Sequence, residues 1–77
     1  MMITDERLTI REWRARSFLT QQELAEKVGV SYMSVSNWEN GVKAPRAKHM
    51  RALAQALGIK PEQIVLTQGK GVPARAA

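Results

Sequence analysis

Residues 20–41 constrain the fold of this chain most, because they predict two short helices joined by a tight turn. Thr20 and Glu23 have the spacing of a capping box, in which each side chain accepts a hydrogen bond from the backbone of the other residue at a helix start. Gly29 can adopt the left-handed backbone conformation that ends a helix. The first helix of the pair is therefore predicted over residues 21–28.

The second helix, predicted over residues 31–39, has two very different faces. Ser31 can cap its start, and its apolar stripe consists only of Val35 and Trp38. The opposite face, at about 100° per residue, carries uncharged side chains that donate, accept or fill space: Tyr32, Met33, Ser36 and Asn37. Such side chains suit the reading of base edges in a DNA major groove, where hydrogen-bond patterns and the thymine methyl distinguish base pairs.

The positive charge of the chain is concentrated after this helix. The net charge is +5, and residues 42–60 hold five basic residues and no acidic one. They are Lys43, Arg46, Lys48, Arg51 and Lys60. Such a run can be a solvated helix face, but its position directly after a helix suited to base reading favours a polyanionic partner.

The composition excludes several other classes of protein. A chain of 77 residues is one domain, and it buries only about 60 to 65% of its unfolded surface. Without cysteine there is no disulfide framework or thiolate metal site. The apolar runs are far shorter than the roughly 20 residues that span a bilayer, and the N-terminus has no signal-peptide core. We expect a soluble, cytoplasmic protein.

Catalysis is not expected. His49 is the only histidine and lies in a basic segment, and the acidic residues are scattered or used as helix caps. A serine–histidine pair would lack an orienting carboxylate nearby. The sequence predicts no enzyme activity, no cofactor and no metal.

Three further helices are predicted around the central pair. A capping box at Thr9 and Glu12 starts the first of them, which runs to about Ser17, although a start at Thr4 or Asp5 is also possible.

The other two lie near the C-terminus. A fourth helix follows Pro45 from about Arg46 to Leu57, and a short fifth helix starts at Pro61 and ends at about Leu66. The predicted fold class is all-α, a compact five-helix domain over residues 9–66. Residues 1–8 would be an N-terminal arm, and residues 67–77, rich in Gly, Ala and Pro, a disordered tail.

The central segment resembles a known family. Its signature consists of Gln21, the run Glu23-Leu24-Ala25, Gly29, the run Trp38-Glu39-Asn40-Gly41, and Pro45. Together they are similar to the helix-turn-helix of lambda-repressor and Cro-like (XRE-type) regulators of phages and bacteria, from about Ile10 to Leu66. Alternatively, residues 20–29 (TQQELAEKVG) could form an ordinary amphipathic helix of a small bundle, but the paired caps and the tight turn would then be coincidences.

The resemblance implies sequence-specific binding of double-stranded DNA by a transcriptional regulator, and we expect a repressor that occupies an operator. It places Tyr32, Met33 and Asn37 opposite the bases, and Ser36 shares their arc. The Asn37 amide can bind adenine with two hydrogen bonds. Tyr32 and Met33 replace the glutamine-type residues frequent in the family, which suggests van der Waals contact with thymine methyls.

A second set of residues is expected on the DNA backbone. The resemblance implies a phosphate contact for Gln21, assisted by the N–H groups at the start of its helix. Lys48 is a weaker candidate, and Ser31 could serve only as a cap. The expected phosphate contacts are Gln21, Ser31, Ser34, Asn40, Lys43, Arg46 and Lys48.

Arg14 and Glu39 are expected to be structural. In the family an arginine at this position pairs with the glutamate at the end of the recognition helix, so we predict an ion pair and no DNA contact for either residue. At helical spacing Arg11 points further away. Trp13 and Trp38 are expected in or near the core.

The expected assembly is a weak homodimer on a palindromic operator, because one recognition helix reads only a few base pairs and two would read half-sites about 10 bp apart. Apolar residues of the last helix, Ile59, Ile64, Val65 and Leu66, exceed what the core plainly requires and could hold the dimer. An antitoxin or partner-binding module is the alternative function, with Tyr32 and Met33 in an apolar interface. A membrane-surface role for residues 43–60 is weaker, because this stretch lacks aromatic residues at its apolar border.

Overall fold

The structure is a computed structural model that describes residues 6–68 and 72–73. Within these residues there are four α-helices: α1 (Ile10–Arg16), α2 (Gln21–Val28), α3 (Tyr32–Glu39) and α4 (Ala47–Leu57). Four two-residue strands accompany them: β1 (Leu8–Thr9), β2 (Ile64–Val65), β3 (Thr67–Gln68) and β4 (Val72–Pro73). Strand β1 pairs in parallel with β2, and β3 pairs antiparallel with β4.

Both predicted capping boxes are present. At the start of α1, the Glu12 backbone N–H donates to the Thr9 hydroxyl at 3.2 Å, and the Thr9 N–H donates to the Glu12 carboxylate at 2.9 Å. At the start of α2, the Glu23 N–H donates to the Thr20 hydroxyl at 3.0 Å, and the Thr20 N–H donates to the Glu23 carboxylate at 2.8 Å. Gly29 ends α2 with φ +86°, a conformation that strains residues with a β-carbon. These local signals fix the entry to the turn between α2 and α3.

The limits of the next two helices also follow the sequence. The Ser31 hydroxyl accepts a bond of 3.2 Å from the Ser34 N–H and so caps α3. Helix α4 follows Arg46, which provides no side-chain cap, and ends at Gly58 with φ +72°. All four helices begin and end within one residue of their predicted limits. In the described part of the chain, no helix combines the length and apolar character needed to cross a membrane.

The predicted fifth helix is wrong. Pro61–Gln63 form a single 3-10 turn, closed by a 2.9 Å bond from the Gln63 N–H to the Lys60 carbonyl, and the Lys60 N–H donates to the Gln63 side-chain oxygen at 3.0 Å. The next two residues, Ile64–Val65, are extended and pair with Leu8–Thr9. A six-residue helix gains too few internal hydrogen bonds to offset the cost of its first turn, and β-branched residues favour the extended conformation. The described fold is therefore mostly helical with four helices.

The predicted arm and tail fall largely outside the described residues. Leu8, the last residue of the predicted arm, belongs to β1. Of the predicted tail, Thr67–Gln68 and Val72–Pro73 are described as the paired strands β3 and β4. Disorder of the remaining tail stays a prediction.

The core lies between the four helices and β2. Its buried apolar residues are Ile10, Trp13, Leu24, Ala25, Val35, Trp38, Leu53, Ala54 and Ile64. The Trp13 indole N–H also donates to the Gln63 carbonyl at 2.8 Å, which ties α1 to the 3-10 turn. Trp13 and Trp38 are thus core residues, as predicted. Ile64, expected to exceed what the core requires, is only 7% exposed and belongs to the core.

Candidate nucleic-acid interface

One face of α3 packs on the rest of the domain and the other is open. Val35, Trp38 and Glu39 are buried. On the open side Tyr32 is 48% exposed and Met33 58% exposed, and Ser36 and Asn37 are partly exposed. The structure thus places the four residues predicted to face bases on the side of α3 that the domain does not cover.

The loop after α3 folds back onto the last turn of that helix. The backbone N–H groups of Val42 and Lys43 both donate to the Asn37 carbonyl, at 2.9 and 3.4 Å. The Asn40 amide donates to the Ser36 hydroxyl at 3.4 Å. Lys43 and Asn40, two predicted phosphate contacts, are therefore held beside the open face of α3.

The predicted cationic contacts extend from this loop into α4. Lys43, Arg46 and Lys48 are all exposed, and none takes part in the salt bridges found among the described residues. Their positive charges are not neutralised within that part of the protein. An arrangement of this kind attracts a polyanion.

The two predicted serine contacts lie together at the start of α3. The Ser31 and Ser34 hydroxyl oxygens are 3.2 Å apart, and Ser31 also caps the helix. The capping role of Ser31 is therefore present, and phosphate contacts from either residue stay predictions.

Behind the open face, a buried carboxylate joins α1 to the end of α3. The Glu39 side chain is completely buried, and it accepts bonds from Arg14 Nε at 2.6 Å and Arg14 Nη2 at 3.0 Å. Arg14 Nη1 donates to the Leu19 carbonyl at 2.9 Å. The predicted ion pair is present, and its hydrogen bonds to Glu39 raise the pKa of the Arg14 guanidinium above its ordinary value.

Two neighbours of this ion pair are not predicted by the sequence pattern. The Gln21 side-chain amide donates to Glu39 Oε1 at 2.9 Å, although Gln21 was expected only on a phosphate. Arg11, expected to point away, brings its Nε to 3.8 Å from the same oxygen. The spacing of Arg11 and Arg14, one turn apart on α1, is the signal that could have indicated a shared face.

An open groove lies next to this cluster, between α1 and the start of α2. It has a volume of about 540 Å³ and is lined in part by Arg11, Gln21, Gln22 and Tyr32. Tyr32 is also the first residue of α3. The groove therefore continues the open face of α3 toward α1.

Two exposed apolar residues also lie outside the predicted site. Val42 is 66% exposed in the loop after α3, and Phe18 is 92% exposed between α1 and α2. Phe18 has φ +58°, the only positive φ of a non-glycine residue in the described chain.

The histidine is a packing residue. The His49 ring lies 5.2 Å from the Trp38 ring, tilted by 42°. Among residues 6–68 and 72–73 no group of histidine and acidic side chains has the arrangement of a metal site.

Comparison with known proteins places this architecture in context. The helix-turn-helix family model matches residues 10–64, which include all four helices. The HTH-type transcriptional regulator DicA of Escherichia coli is 39% identical over 46 residues, which are 60% of this chain and 34% of DicA. This chain thus spans about a third of that relative.

Two other similar proteins are matched over a larger share of their own length. An HTH-type transcriptional regulator of Methanothermobacter thermautotrophicus is 42% identical over 52 residues, 68% of this chain and 75% of the relative. The P22 c2 repressor, solved in complex with a synthetic operator, has 32% identity and a TM-score of 0.68 over 71% of this chain and 85% of the repressor.

Proposed function

The chain belongs to the helix-turn-helix family, and on that basis we propose that it binds double-stranded DNA sequence-specifically and regulates transcription. In this function α3 enters the major groove, and the protein acts as a repressor by occupying an operator. It works in the cytoplasm of a bacterium or of a phage-infected cell and is bound to the nucleoid. The observation that carries the proposal is the open, uncharged face of α3 beside cations that have no acidic partner in the described chain.

Base recognition is assigned to the open face of α3. Asn37 offers an amide that can donate to and accept from an adenine edge. Tyr32 and Met33, the most exposed of the four, offer apolar surface to thymine methyls, and Ser36 lies on the same face of the helix. Because none of these side chains is charged, sequence preference would come from hydrogen-bond pattern and shape.

Affinity is assigned to phosphate contacts around that face. Lys43 and Arg46 are the main candidates, because both are exposed cations in the loop that folds back on α3. Asn40, Ser31 and Ser34 flank the same helix, and Lys48 lies one turn into α4. Gln21 keeps its assignment, since its amide nitrogen has a second hydrogen after one is donated to Glu39.

We propose a weak dimer that forms on a palindromic site. Ile64 is buried, and Ile59 and Leu66 are partly buried against the core, so little of this apolar segment is left for a partner. A stable interface usually buries upwards of about 1,000 Å². The known relatives, which are transcriptional regulators and an operator-bound repressor, favour DNA binding over a partner-binding module.

Selection from a random duplex pool tests the function. We expect enrichment of one palindromic sequence with half-sites about 10 bp apart. Asn37→Ala serves as a matched variant that should enrich a degenerate or different site. Failure of the wild-type protein to enrich any sequence would reject sequence-specific binding.

A further inference from the structure

We infer that Arg11 binds a DNA phosphate in the groove between α1 and the start of α2. The inference rests on the proposed DNA binding and extends the interface to the first helix. Arg11 then contacts the DNA backbone from α1, in addition to the contacts assigned to the loop after α3 and to α4.

The charges around Glu39 do not balance. Its buried carboxylate already accepts two hydrogen bonds from Arg14 and one from Gln21. Arg11 Nε lies at 3.8 Å, beyond hydrogen-bond distance, and the Arg11 side chain is 68% exposed. Two guanidinium groups beside one carboxylate leave one positive charge, and it belongs to the exposed partner.

The hydrogen-bond donors of Arg11 are unused within the described residues. Among the described residues its guanidinium donates no hydrogen bond, whereas Arg14 donates three. An exposed ion pair at this distance holds a side chain only weakly. The planar fork of donors on Arg11 is therefore available for an oxyanion, and a phosphate matches its geometry.

The groove lies between Arg11 and the helix assigned to the bases. Arg11 and Tyr32 are among the residues that line it, as are Arg14, Gln21 and Gln22, and no carboxylate is part of the lining. Tyr32 starts the helix assigned to the major groove, and Gln21 is assigned to a phosphate. A DNA strand leaving α3 along this groove would bring one of its phosphates to Arg11.

A free phosphate ion is the other possible source of the same chemistry. The groove is open and wide for a single ion, at about 540 Å³, and an isolated exposed cation binds a small anion weakly in water. A duplex that is already docked on α3 holds its phosphate beside Arg11, so the phosphate does not have to be captured from free solution. The DNA backbone is therefore the occupant we assign.

The test compares the salt dependence of binding to the selected duplex. Arg11→Ala should make the negative slope of log affinity against log salt shallower by about 0.9 and weaken binding on the order of tenfold. Arg16→Ala is the matched control on the same helix, because it removes the same charge from an arginine that pairs with Glu6 at 2.7 Å. It should leave the slope unchanged, and Arg11→Lys should restore it.

A second measurement keeps the wild-type side chain. Neutral methylphosphonates are placed one at a time along the duplex, and one position per half-site should weaken wild-type binding but not Arg11→Ala binding. Inorganic phosphate at millimolar concentration should leave the Arg11 Nε–H NMR signal unshifted, whereas the duplex should shift it. A shift produced by inorganic phosphate alone would assign the site to the free ion and overturn the inference.

The possible failures are distinguishable. If the wild-type protein binds the duplex but Arg11→Ala keeps its salt slope and its methylphosphonate profile, the Arg11 contact is rejected and the proposed function stands. If the wild-type protein binds no duplex, both are rejected.

Discussion

Arg14 and Glu39 are joined by two hydrogen bonds, of 2.6 and 3.0 Å, although the Glu39 side chain is completely buried and Arg14 is 16% exposed. The pair connects α1 to the last residue of α3. Gln21 adds the start of α2 to the same carboxylate. The orientation of α3 therefore depends on a charged cluster as well as on the apolar core.

Loss of this ion pair should destabilise the protein strongly. Glu39→Ala leaves the Arg14 charge without a partner in a largely buried place, at an expected cost of about 3 kcal/mol, the lower end for buried pairs because Arg14 keeps some contact with water. In so small a domain that loss could unfold the protein. Urea denaturation followed by circular dichroism measures it, with Glu39→Gln as the milder variant.

Arg16→Ala is the control for that experiment, because Arg16 forms an exposed ion pair with Glu6. It should change the unfolding midpoint little. Equal midpoints for Glu39→Ala and the wild-type protein would show that the buried pair does not stabilise the fold.

The loop cations should determine much of the salt dependence. Lys43→Ala and Arg46→Ala should each make the negative slope of log affinity against log salt shallower by roughly 0.9 and weaken binding to all DNA sequences alike. Lys27→Ala is a suitable control, since Lys27 is exposed at the far end of α2. A double variant with the wild-type slope would reject both phosphate contacts.

Phe18 should be a source of strain. Its φ of +58° costs a residue with a β-carbon about 1 kcal/mol, and its side chain is 92% exposed and gains little from packing. Phe18→Gly should therefore stabilise the fold by about 0.5 kcal/mol after the entropy cost of glycine is subtracted. The urea midpoint measures the change.

Gly29→Ala should have the opposite effect to Phe18→Gly. Gly29 has φ +86° and open space around the position of a β-carbon, so alanine there should destabilise α2 through its backbone alone. If Phe18→Gly lowers stability as well, the Phe18 ring stabilises the folded state and the strain argument is wrong.

The sequence predicted the parts of the fold whose causes are local. Each capping box, in α1 and in α2, is recognised from two residues three positions apart, and the end of α2 from a single glycine. Those helix limits could therefore be predicted. The fifth helix could not be judged in this way, because Ile64–Val65 are extended through pairing with Leu8–Thr9, at the other end of the domain. Local propensity does not contain that contact.

The candidate site also has parts that the sequence or the resemblance predicted and parts that depend on packing. The open face of α3 follows from helical periodicity, and the ion pair of Arg14 and Glu39 was implied by family resemblance. The bond from Gln21 to Glu39 and the approach of Arg11 depend on how α1, α2 and α3 are packed together. The Gln21 bond could not be derived from spacing within one helix, and the spacing of Arg11 and Arg14 indicates only that they share a face of α1, not that Arg11 approaches Glu39.

Assembly should depend on DNA. We expect mostly monomer at micromolar concentration in sedimentation, because the apolar C-terminal segment is largely used by the core and offers less than a stable interface needs. Binding to a palindromic duplex should be cooperative, whereas a single half-site should bind weakly. A tight dimer in solution, or full affinity for one half-site, would disprove this assembly.

The central claim is that α3 reads sequence, and the effect of Asn37→Ala on the ratio of specific to non-specific affinity tests it most directly. Both affinities are measured at one salt concentration, on the selected duplex and on a scrambled duplex of equal length. The account predicts a loss of about 1 to 3 kcal/mol on the selected duplex and a much smaller loss on the scrambled one. Gln55→Ala, an exposed change on α4, should alter neither affinity. Equal losses on both duplexes for Asn37→Ala would contradict base reading by this residue.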